Sequence, residues 1–153
     1  MDYIPWIRSK VGHDKIMLVV AGVIIFDDDG KVLLQKRSKT EEVWGFPGGM
    51  MELGESAEET AVREVYEETG LEVEVTSLLG VYTKYSDQYA NGDKAQPIAI
   101  AFKGKAVGGR LKIDNEETYD LQYFHPEKAP KLFNRQHNDM LEDIRNNQTA
   151  VYR

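Results

Sequence analysis

Residues Gly49 to Leu71 read GMMELGESAEETAVREVYEETGL and carry both the boundaries of a helix and an unusual set of charges. Ser56 is a preferred N-cap residue, and Glu59 follows it by three positions, as a capping box requires. Gly70 suits the left-handed residue that ends a helix. The pattern therefore predicts a helix from about Ala57 to Thr69.

Three glutamates of this helix share one face. Glu64, Glu67 and Glu68 lie at positions i, i+3 and i+4, so their side chains are one turn apart. Each like-charge pair costs an exposed helix roughly 0.2 to 0.5 kcal/mol, and Arg63 is the only cation within the predicted helix. Because Mg²⁺ takes carboxylate oxygens, phosphate oxygens and water as ligands, the spacing suits a divalent metal site. A solvated acidic face is the alternative.

The whole stretch resembles the Nudix box, which is written G-x5-E-x7-R-E-U-x-E-E-x-G-U with U an aliphatic residue. The matching residues are Gly49, Glu55, Arg63, Glu64, Val65, Glu67, Glu68, Gly70 and Leu71. From average residue usage, the fixed identities at this spacing would arise by chance with odds on the order of 10⁻⁶ or less. The chain is therefore similar to the Nudix hydrolases, the MutT-like family.

The resemblance implies an α/β fold, a Nudix-type α/β/α sandwich with a mixed β-sheet between the box helix and a C-terminal helix. We expect one domain over residues 1–153, with an N-terminal extension at 1–15 and the box at 49–71. The implied activity is that of a pyrophosphatase that cleaves a nucleoside diphosphate linked to another moiety, as in a nucleoside triphosphate, a nucleotide sugar or a dinucleoside polyphosphate. The alternative is a non-catalytic Nudix-like nucleotide sensor or interaction module, although the box here is intact.

The resemblance also implies a divalent metal cofactor, Mg²⁺ or Mn²⁺. Its ligands in this sequence would be the carboxylates of Glu64, Glu67 and Glu68 and the backbone carbonyl of Gly48. Glu55 would support the site from behind or act as a further ligand.

The catalytic residues implied in the same way are Glu64, Arg63 and Glu67. Arg63 is expected to orient Glu64 by a charge-assisted hydrogen bond and not to contact substrate. The family does not keep one general base, so Glu64 remains a candidate beside an extra acid further along the chain. The candidates for that acid are Glu116, Glu117 and Asp120.

Composition narrows the choice of partners. The chain has 153 residues, no cysteine and a formal net charge of −7. The charge argues against nucleic acid and anionic membranes as partners, and the absence of cysteine permits a reducing cytoplasm. The longest apolar run, Ile16 to Phe26, is too short to span a bilayer as a helix, and no signal-peptide pattern precedes it. We expect a cytoplasmic protein that acts on a small nucleotide.

The residues before the box predict strands and a glycine-rich loop. Ile16 to Phe26 is rich in Val and Ile and predicts a buried strand, with a turn at Asp27 to Gly30 and a returning strand at Lys31 to Arg37. These elements together predict a hairpin. In the loop that follows, Trp44 and Phe46 either stack on a nucleobase or pack beneath the loop.

The residues after the box predict two strands and a loop that selects substrate. Val73 to Lys84 and Ala95 to Gly104 are strand-like, and Asn91-Gly92 marks the turn between them. Loops on a rigid sheet commonly carry binding residues. Tyr85 and Tyr89 are therefore candidates for contacts with base or ribose, with ordinary solvent-facing positions as the alternative.

The ends of the chain are expected to be structural. Asn134 is predicted to cap a last helix that extends to about Asn147 and packs an apolar stripe on the sheet. His137 lies in its first turns and is expected to be a polar surface residue. The segment from Met1 to Lys15 is compatible with a short helix that covers the sheet or with pairing to a second subunit in a homodimer.

Overall fold

The computed structural model describes residues 2–153, so Met1 of the predicted N-terminal segment lies outside the described residues. In chain order the elements are α1 (Tyr3–Val11), β1 (Ile16–Ile25), β2 (Val32–Lys36), β3 (Trp44–Gly45), β4 (Gly48–Met50), α2 (Ala57–Thr69), β5 (Leu71–Tyr82), β6 (Asp87–Gln88), β7 (Lys94–Gly109), β8 (Asp120–Phe124), α3 (Arg135–Arg145) and β9 (Val151–Tyr152). None of the helices described is long and apolar enough to cross a membrane.

Six strands form a mixed sheet in the order β4-β1-β7-β5-β9, with β6 added on β7. The apolar strand β1 runs parallel to β7, from the pair Ile16↔Ala95 to the pair Ile25↔Gly104. Its other edge pairs antiparallel with β4. A strand with neighbours on both edges and packing on both faces is expected to be apolar along most of its length, as β1 is.

The strand β2 belongs to a second, three-stranded sheet, in which it lies between β3 and β8. The predicted hairpin from Ile16 to Arg37 is therefore wrong, because among the described residues one isolated bridge, Phe26↔Val32, joins its two halves. Both edges of β1 are already occupied by β4 and β7, so β2 pairs with the distant β8 instead. Local sequence marks a strand and a turn but does not choose between partners.

Helices cover both faces of the larger sheet. On one face, Ala61 and Val65 of α2 pack in a core with Val23 of β1. On the other face, Met140 of α3 packs in a second core with Ile24. Successive residues of a strand point to opposite faces, so β1 contributes to both cores. This arrangement confirms the predicted α/β/α sandwich.

The helix α1 connects two loops beside the sheet. The N–H of Tyr3 donates to the carboxylate of Glu52 at 2.8 Å, just after β4. Arg8 donates through Nη2 to the carbonyl of Lys94 at 2.7 Å, and its Nε lies 3.5 Å from the carboxylate of Asp93. The N-terminal segment is thus a helix that ties the start of the box to the β6–β7 turn. Its pairing with a second subunit stays a prediction.

Candidate functional site

The box helix α2 begins and ends as predicted, which fixes the direction of its side chains. The hydroxyl of Ser56 accepts the N–H of Glu59 at 3.1 Å, and the carboxylate of Glu59 accepts the N–H of Ser56 at 2.8 Å. Gly70 follows the last turn with a φ of 79°, and its N–H donates to the carbonyl of Tyr66 at 2.9 Å. Held at both ends, α2 packs against β1 and β4 and presents its glutamates beside β4.

Arg63 is surrounded by acceptors from the box. Its Nε and Nη2 donate to the two carboxylate oxygens of Glu55 at 2.6 and 3.0 Å. Its Nη1 donates to Glu64 at 2.8 Å and lies 3.4 Å from a carboxylate oxygen of Glu67. Its Nη2 also donates to the carbonyl of Met50 at 3.2 Å. These contacts, with Glu55 as the largest cause, raise the pKa of Arg63 and hold the Glu64 carboxylate in one position.

Glu55 is fully engaged by protein groups. The hydrogen bond from Arg63 is the main cause that lowers the pKa of Glu55 to about 2. Its Oε2 also accepts the hydroxyl of Thr60 at 2.7 Å and the N–H of Glu52 at 3.1 Å. With both oxygens occupied, Glu55 supports Arg63, and a role as metal ligand stays a prediction.

Glu64 and Glu68 lie in a less polar environment than Glu55. Burial raises the pKa of Glu68 to about 8, and the guanidinium of Arg37 together with the N–H of Gly48, which donates to Glu68 at 3.1 Å, offsets this only in part. Burial also raises the pKa of Glu64, although its neighbouring guanidinium opposes the shift. A Cβ on Gly49 would collide with the carboxylate of Glu64, so glycine here leaves that carboxylate in place. A cation bound beside Glu64 and Glu68 would therefore stabilise the charged forms of both carboxylates.

Across residues 2–153, no three acidic or histidine side chains converge on a preformed metal centre. The side chain of Glu67 is 56% exposed and faces Arg63. The donor set nevertheless fits a hard divalent cation, because it consists of carboxylate and carbonyl oxygens and includes the buried Glu68, whose charged form such an ion would stabilise. A role of Glu67 as metal ligand beside Glu64 and Glu68 stays a prediction.

The three additional acids lie in different environments. The negative charge of Glu117 is among the causes that raise the pKa of both Glu64 and Glu68, which places it near the box. Asp120 instead accepts hydrogen bonds from its own neighbours in β8, and Glu116 is exposed in the turn before that strand. These surroundings favour Glu117 as the extra acid, and the assignment stays a prediction.

A cavity of about 260 Å³ lies between the larger sheet and α3. Residues of β1 and β7 line it, together with Gly48 and Gly49 of β4, which also contact the box carboxylates. Its polar side chains come from several elements and are Arg37, Asp87, Tyr89, Asn134, Gln136 and His137. The cavity and the box carboxylates therefore lie on either side of β4.

Arg37 lines the cavity, and nothing in the sequence singled it out. Its guanidinium carbon lies 4.3 Å from the ring centroid of Phe133, and its Nη2 donates to the carbonyl of Phe46 at 2.7 Å. Its Nε is buried and has no hydrogen-bond partner among residues 2–153. An unsatisfied buried donor costs about 1 to 3 kcal/mol, which a ligand with a matching acceptor would relieve.

The prediction that His137 is a polar surface residue is wrong. His137 lines the cavity, and its Nδ1 accepts the N–H of Phe46 at 3.0 Å. Burial, with a smaller contribution from the charge of Arg37, holds the pKa of His137 well below its ordinary value. The ring is therefore neutral with its proton on Nε2. The apolar stripe of α3 gave no sign that its first turn faces a cavity.

The four predicted aromatic contacts divide into two pairs. Phe46 and Tyr89 line the cavity. Trp44 is 3% exposed in the core and Tyr85 donates its hydroxyl to Asp139 at 2.6 Å, and neither residue lines the cavity. Packing, the alternative weighed for Trp44, is thus the better description of it. Asp87, which does line the cavity, had no distinguishing mark within its polar loop.

A NUDIX domain family model matches residues 17–144. A Bacillus subtilis (strain 168) protein provisionally named as an 8-oxo-dGTP diphosphatase is 34% identical over 126 residues, which are 82% of this chain and 78% of that protein. The ADP-ribose pyrophosphatase of Methanocaldococcus jannaschii is 39% identical over 110 residues, 71% of this chain and 62% of that protein. A nucleoside diphosphate-linked moiety X motif 6 protein of Xenopus laevis is 47% identical over 92 residues, which are 57% of this chain and 42% of that protein. The chain thus spans less than two thirds of the length of the last two relatives.

Solved structures have the same fold. A MutT NUDIX hydrolase from Burkholderia pseudomallei superposes with a TM-score of 0.67 at 26% identity, over 85% of this chain and 98% of that chain. A UDP-X diphosphatase superposes with a TM-score of 0.67 at 24% identity, over 97% of this chain and 72% of that chain. At such identities we take from these structures the fold and not the substrate.

Proposed function

The chain belongs to the NUDIX domain family of pyrophosphohydrolases, and on that basis we propose that it cleaves the pyrophosphate of a nucleoside diphosphate linked to another moiety. The observation that carries the proposal is the position of the cavity, because Gly48 and Gly49 line it and also contact Glu68 and Glu64. A nucleotide with its base in the cavity would have its phosphates beside the box. The relatives named for 8-oxo-dGTP and ADP-ribose support a substrate of this class.

We propose Mg²⁺ or Mn²⁺ as the cofactor, held by Glu64, Glu67 and Glu68 with the carbonyl of Gly48. When bound, such an ion polarises phosphoryl oxygens and acidifies water. The buried Glu68 supports this proposal, because its raised pKa reflects a carboxylate that lacks sufficient positive charge in the protein alone.

The other box residues position the glutamates. Glu55 holds Arg63 by two hydrogen bonds, and Arg63 in turn holds Glu64 at 2.8 Å. This geometry leaves Arg63 little freedom to reach a phosphate. The proton of the attacking water would pass to Glu64, whose raised pKa makes it a better acceptor near neutral pH than an ordinary carboxylate, or to Glu117.

The cavity would bind the base. Tyr89 is 38% exposed at its edge and offers a ring face for stacking, while Arg37 and His137 offer N–H donors. A volume of about 260 Å³ lies near the lower end of small-molecule sites and suits a base with part of a ribose. Substrate choice would therefore reside in the cavity and the chemistry in the box.

The wider setting is also a proposal. Residues 1–153 would act as one Nudix domain in the cytoplasm, on a small nucleotide and not on nucleic acid. The net charge of −7 supports this view, since a nucleic-acid surface needs clustered positive charge.

A panel of nucleoside diphosphate derivatives tests the function. Purified protein is incubated with nucleoside triphosphates, nucleotide sugars, ADP-ribose and dinucleoside polyphosphates, with Mg²⁺, with Mn²⁺ or with EDTA, and products are separated by chromatography. We expect a nucleoside monophosphate and a phosphorylated second product from at least one class, and no products in EDTA. Intact substrates throughout the panel, or undiminished cleavage in EDTA, would overturn the proposal.

A further inference from the structure

Asp87 places a carboxylate in the cavity without a protein partner. It lies in β6, where the pair Asp87↔Ala95 joins β6 to β7, and its side chain lines the cavity. Among residues 2–153 no group donates a hydrogen bond to this carboxylate or forms an ion pair with it, and burial alone accounts for the raised pKa of Asp87. The other acid of the same turn differs, since Asp93 is paired with His13 and Arg8.

The surroundings of Asp87 are mostly apolar on the cavity side. The floor of the cavity is apolar, with residues such as Pro97 and Ala99 of β7. The Asp87 side chain is partly buried, so its carboxylate has lost part of its hydration and has gained no protein donor in return. Because the described chain supplies no partner, a ligand with N–H donors is the natural one.

Two of the remaining polar groups of the cavity, His137 and Arg37, offer donors. His137 has its Nδ1 occupied, so it offers the Nε2 proton, and Arg37 offers a buried Nε–H. Gln136 uses its amide nitrogen on the backbone carbonyls of Tyr82 and Pro97 at 3.1 and 3.0 Å. A ligand that fits the cavity would therefore carry donors for the Asp87 carboxylate and acceptors for His137 and Arg37.

Guanine meets this description better than the other common bases. Its N1–H and 2-amino group are adjacent donors that match the two oxygens of one carboxylate, and O6 and N7 are acceptors. Adenine and cytosine place a ring acceptor beside their amino group, and uracil flanks its N–H with two carbonyls. An oxidised guanine keeps the N1–H and the 2-amino group.

We propose that Asp87 is the residue that selects a guanine-type base, by accepting hydrogen bonds from N1–H and the 2-amino group, while His137 and Arg37 donate to acceptors of the same base. This inference rests on the proposed function and deepens it, since it names the nucleotide class that the cavity takes. Guanine nucleotides are then the preferred substrates, whatever group is linked to their diphosphate.

The test compares triphosphates that differ in the base alone. Wild-type protein and Asp87→Asn are assayed with dGTP, dITP, dATP and dXTP, and with an abasic deoxyribose triphosphate. Wild type should prefer dGTP, then dITP, which lacks the 2-amino group, then dATP. The variant should lose roughly 10- to 100-fold in kcat/KM for dGTP, the effect of one bidentate contact, and retain its rate on the abasic substrate. It should gain on dXTP, because an amide supplies one acceptor for N1–H and one donor for O2.

Gln88→Ala is the matched control, since Gln88 is the exposed neighbour of Asp87 in the same strand and lies outside the cavity lining. It should leave the ratio of dGTP to dATP unchanged, and thermal unfolding checks that both variants fold. Equal kcat/KM for dGTP and dATP in wild type, or an unchanged ratio in Asp87→Asn, would overturn the inference and leave the proposed function intact.

Product binding separates the two proposals if no triphosphate is cleaved. Calorimetric titration with dGMP and dAMP needs no catalysis. Tighter binding of dGMP that is lost in Asp87→Asn supports the role of Asp87 even when the proposed function fails. Equal binding of both monophosphates overturns it.

Discussion

Two glutamates of the box, Glu55 and Glu68, have pKa values shifted in opposite directions. Two hydrogen bonds from Arg63 hold the pKa of Glu55 at about 2, whereas burial raises that of Glu68 to about 8. The difference arises first from burial, which dominates at Glu68, and then from the partner, since Glu55 has a guanidinium within hydrogen-bond distance and Glu68 has one backbone N–H. The pKa of either carboxyl group therefore follows from its surroundings and not from the residue type alone.

Removing the charge of one proposed ligand should nearly abolish activity. Glu67→Gln and Glu68→Gln keep the size of the side chain, and each should lower kcat on the order of 10²-fold or more, near the effect of losing one strong transition-state contact. Glu58→Gln, in the exposed first turn of α2, is the control and should keep the wild-type rate. Near-normal turnover of both Glu67→Gln and Glu68→Gln would contradict their assignment as metal ligands.

Arg63→Ala should lower kcat much more than it changes KM. Arg63 contacts Glu55 and Glu64 and is expected to position the latter without binding phosphate. Steady-state kinetics over a range of substrate concentrations distinguishes a role in positioning Glu64 from a role in binding substrate. A raised KM at constant kcat would mean that Arg63 binds substrate, and no change in either would reduce its contacts to surface pairs worth about 0.3 to 0.5 kcal/mol each.

Glu68 should make the metal-free protein less stable as pH rises from about 4.5 to about 8. Its pKa is higher in the folded protein than the ordinary value of 4.5, so within this window the unfolded chain releases the proton more readily. Glu64 acts in the same direction, whereas the lowered pKa of Glu55 matters only below pH 4.5. Thermal unfolding in EDTA at pH 5 and pH 8 should show a smaller loss of Tm for Glu68→Gln than for wild type. Parallel losses would show that Glu68 titrates normally.

At the scale of elements, the short strand β4 matters most, because it separates the box helix from the cavity. The N–H of Gly48 donates to Glu68, and Gly49 leaves room for the carboxylate of Glu64. Gly48 also lies so close to β1 that an added Cβ would be 2.7 Å from the carbonyl oxygen of Ala21. Gly48 is thus required by close approach to the backbone of β1, and Gly49 leaves the Glu64 carboxylate undisplaced.

Gly49→Ala should displace Glu64 and reduce activity without unfolding the protein. The new methyl group would occupy the space of the Glu64 carboxyl carbon, so the side chain must move and lose its hydrogen bond from Arg63. We expect turnover to slow by about 10-fold or more, because misplacing a catalytic group by about 1 Å can cost roughly 10²-fold in rate. Circular dichroism should stay native. Full activity would show that the position of Glu64 is not critical.

The elements also show which predictions the sequence could support. The helix α2 agrees with its predicted bounds because Ser56, Glu59 and Gly70 act on their near neighbours. The hairpin prediction failed because the partners of β1 and β2 are distant in sequence. His137 was misassigned and Arg37 was missed for the same reason, since their surroundings are built by several elements. Local signals fix an element, whereas sheet pairing and cavities depend on the folded chain.

At the scale of the whole molecule, the sheet separates the two parts of the proposed site. The helix α2 and its glutamates pack on one face, and α3 and the cavity lie on the other. The two meet where β4 pairs with β1. Substitutions on the cavity side should therefore change which substrate is used more than the rate of chemistry.

Tyr89→Ala should reduce kcat/KM by about 5- to 150-fold for the best nucleotide, since stacking on a base is worth roughly 1 to 3 kcal/mol. The ring lines the cavity and is 38% exposed, as a stacking platform requires. An abasic pyrophosphate substrate, which uses the same box, should lose far less. Equal losses on both substrates would show that Tyr89 supports the fold or the box, and no loss on either would leave it a solvent-facing residue.

The helix α1 makes the cavity depend on residues far from it in sequence. Arg8 donates to the carbonyl of Lys94 and Tyr3 donates to Glu52, so α1 spans from the turn that carries Tyr89 to the loop that opens the box. A fusion partner joined to the N-terminus would disturb both of these α1 contacts. Recombinant protein with a bulky N-terminal tag should consequently be a poorer guide to substrate preference than the same chain tagged after Arg153 by a flexible linker, and the two forms are best compared before any kinetic survey begins.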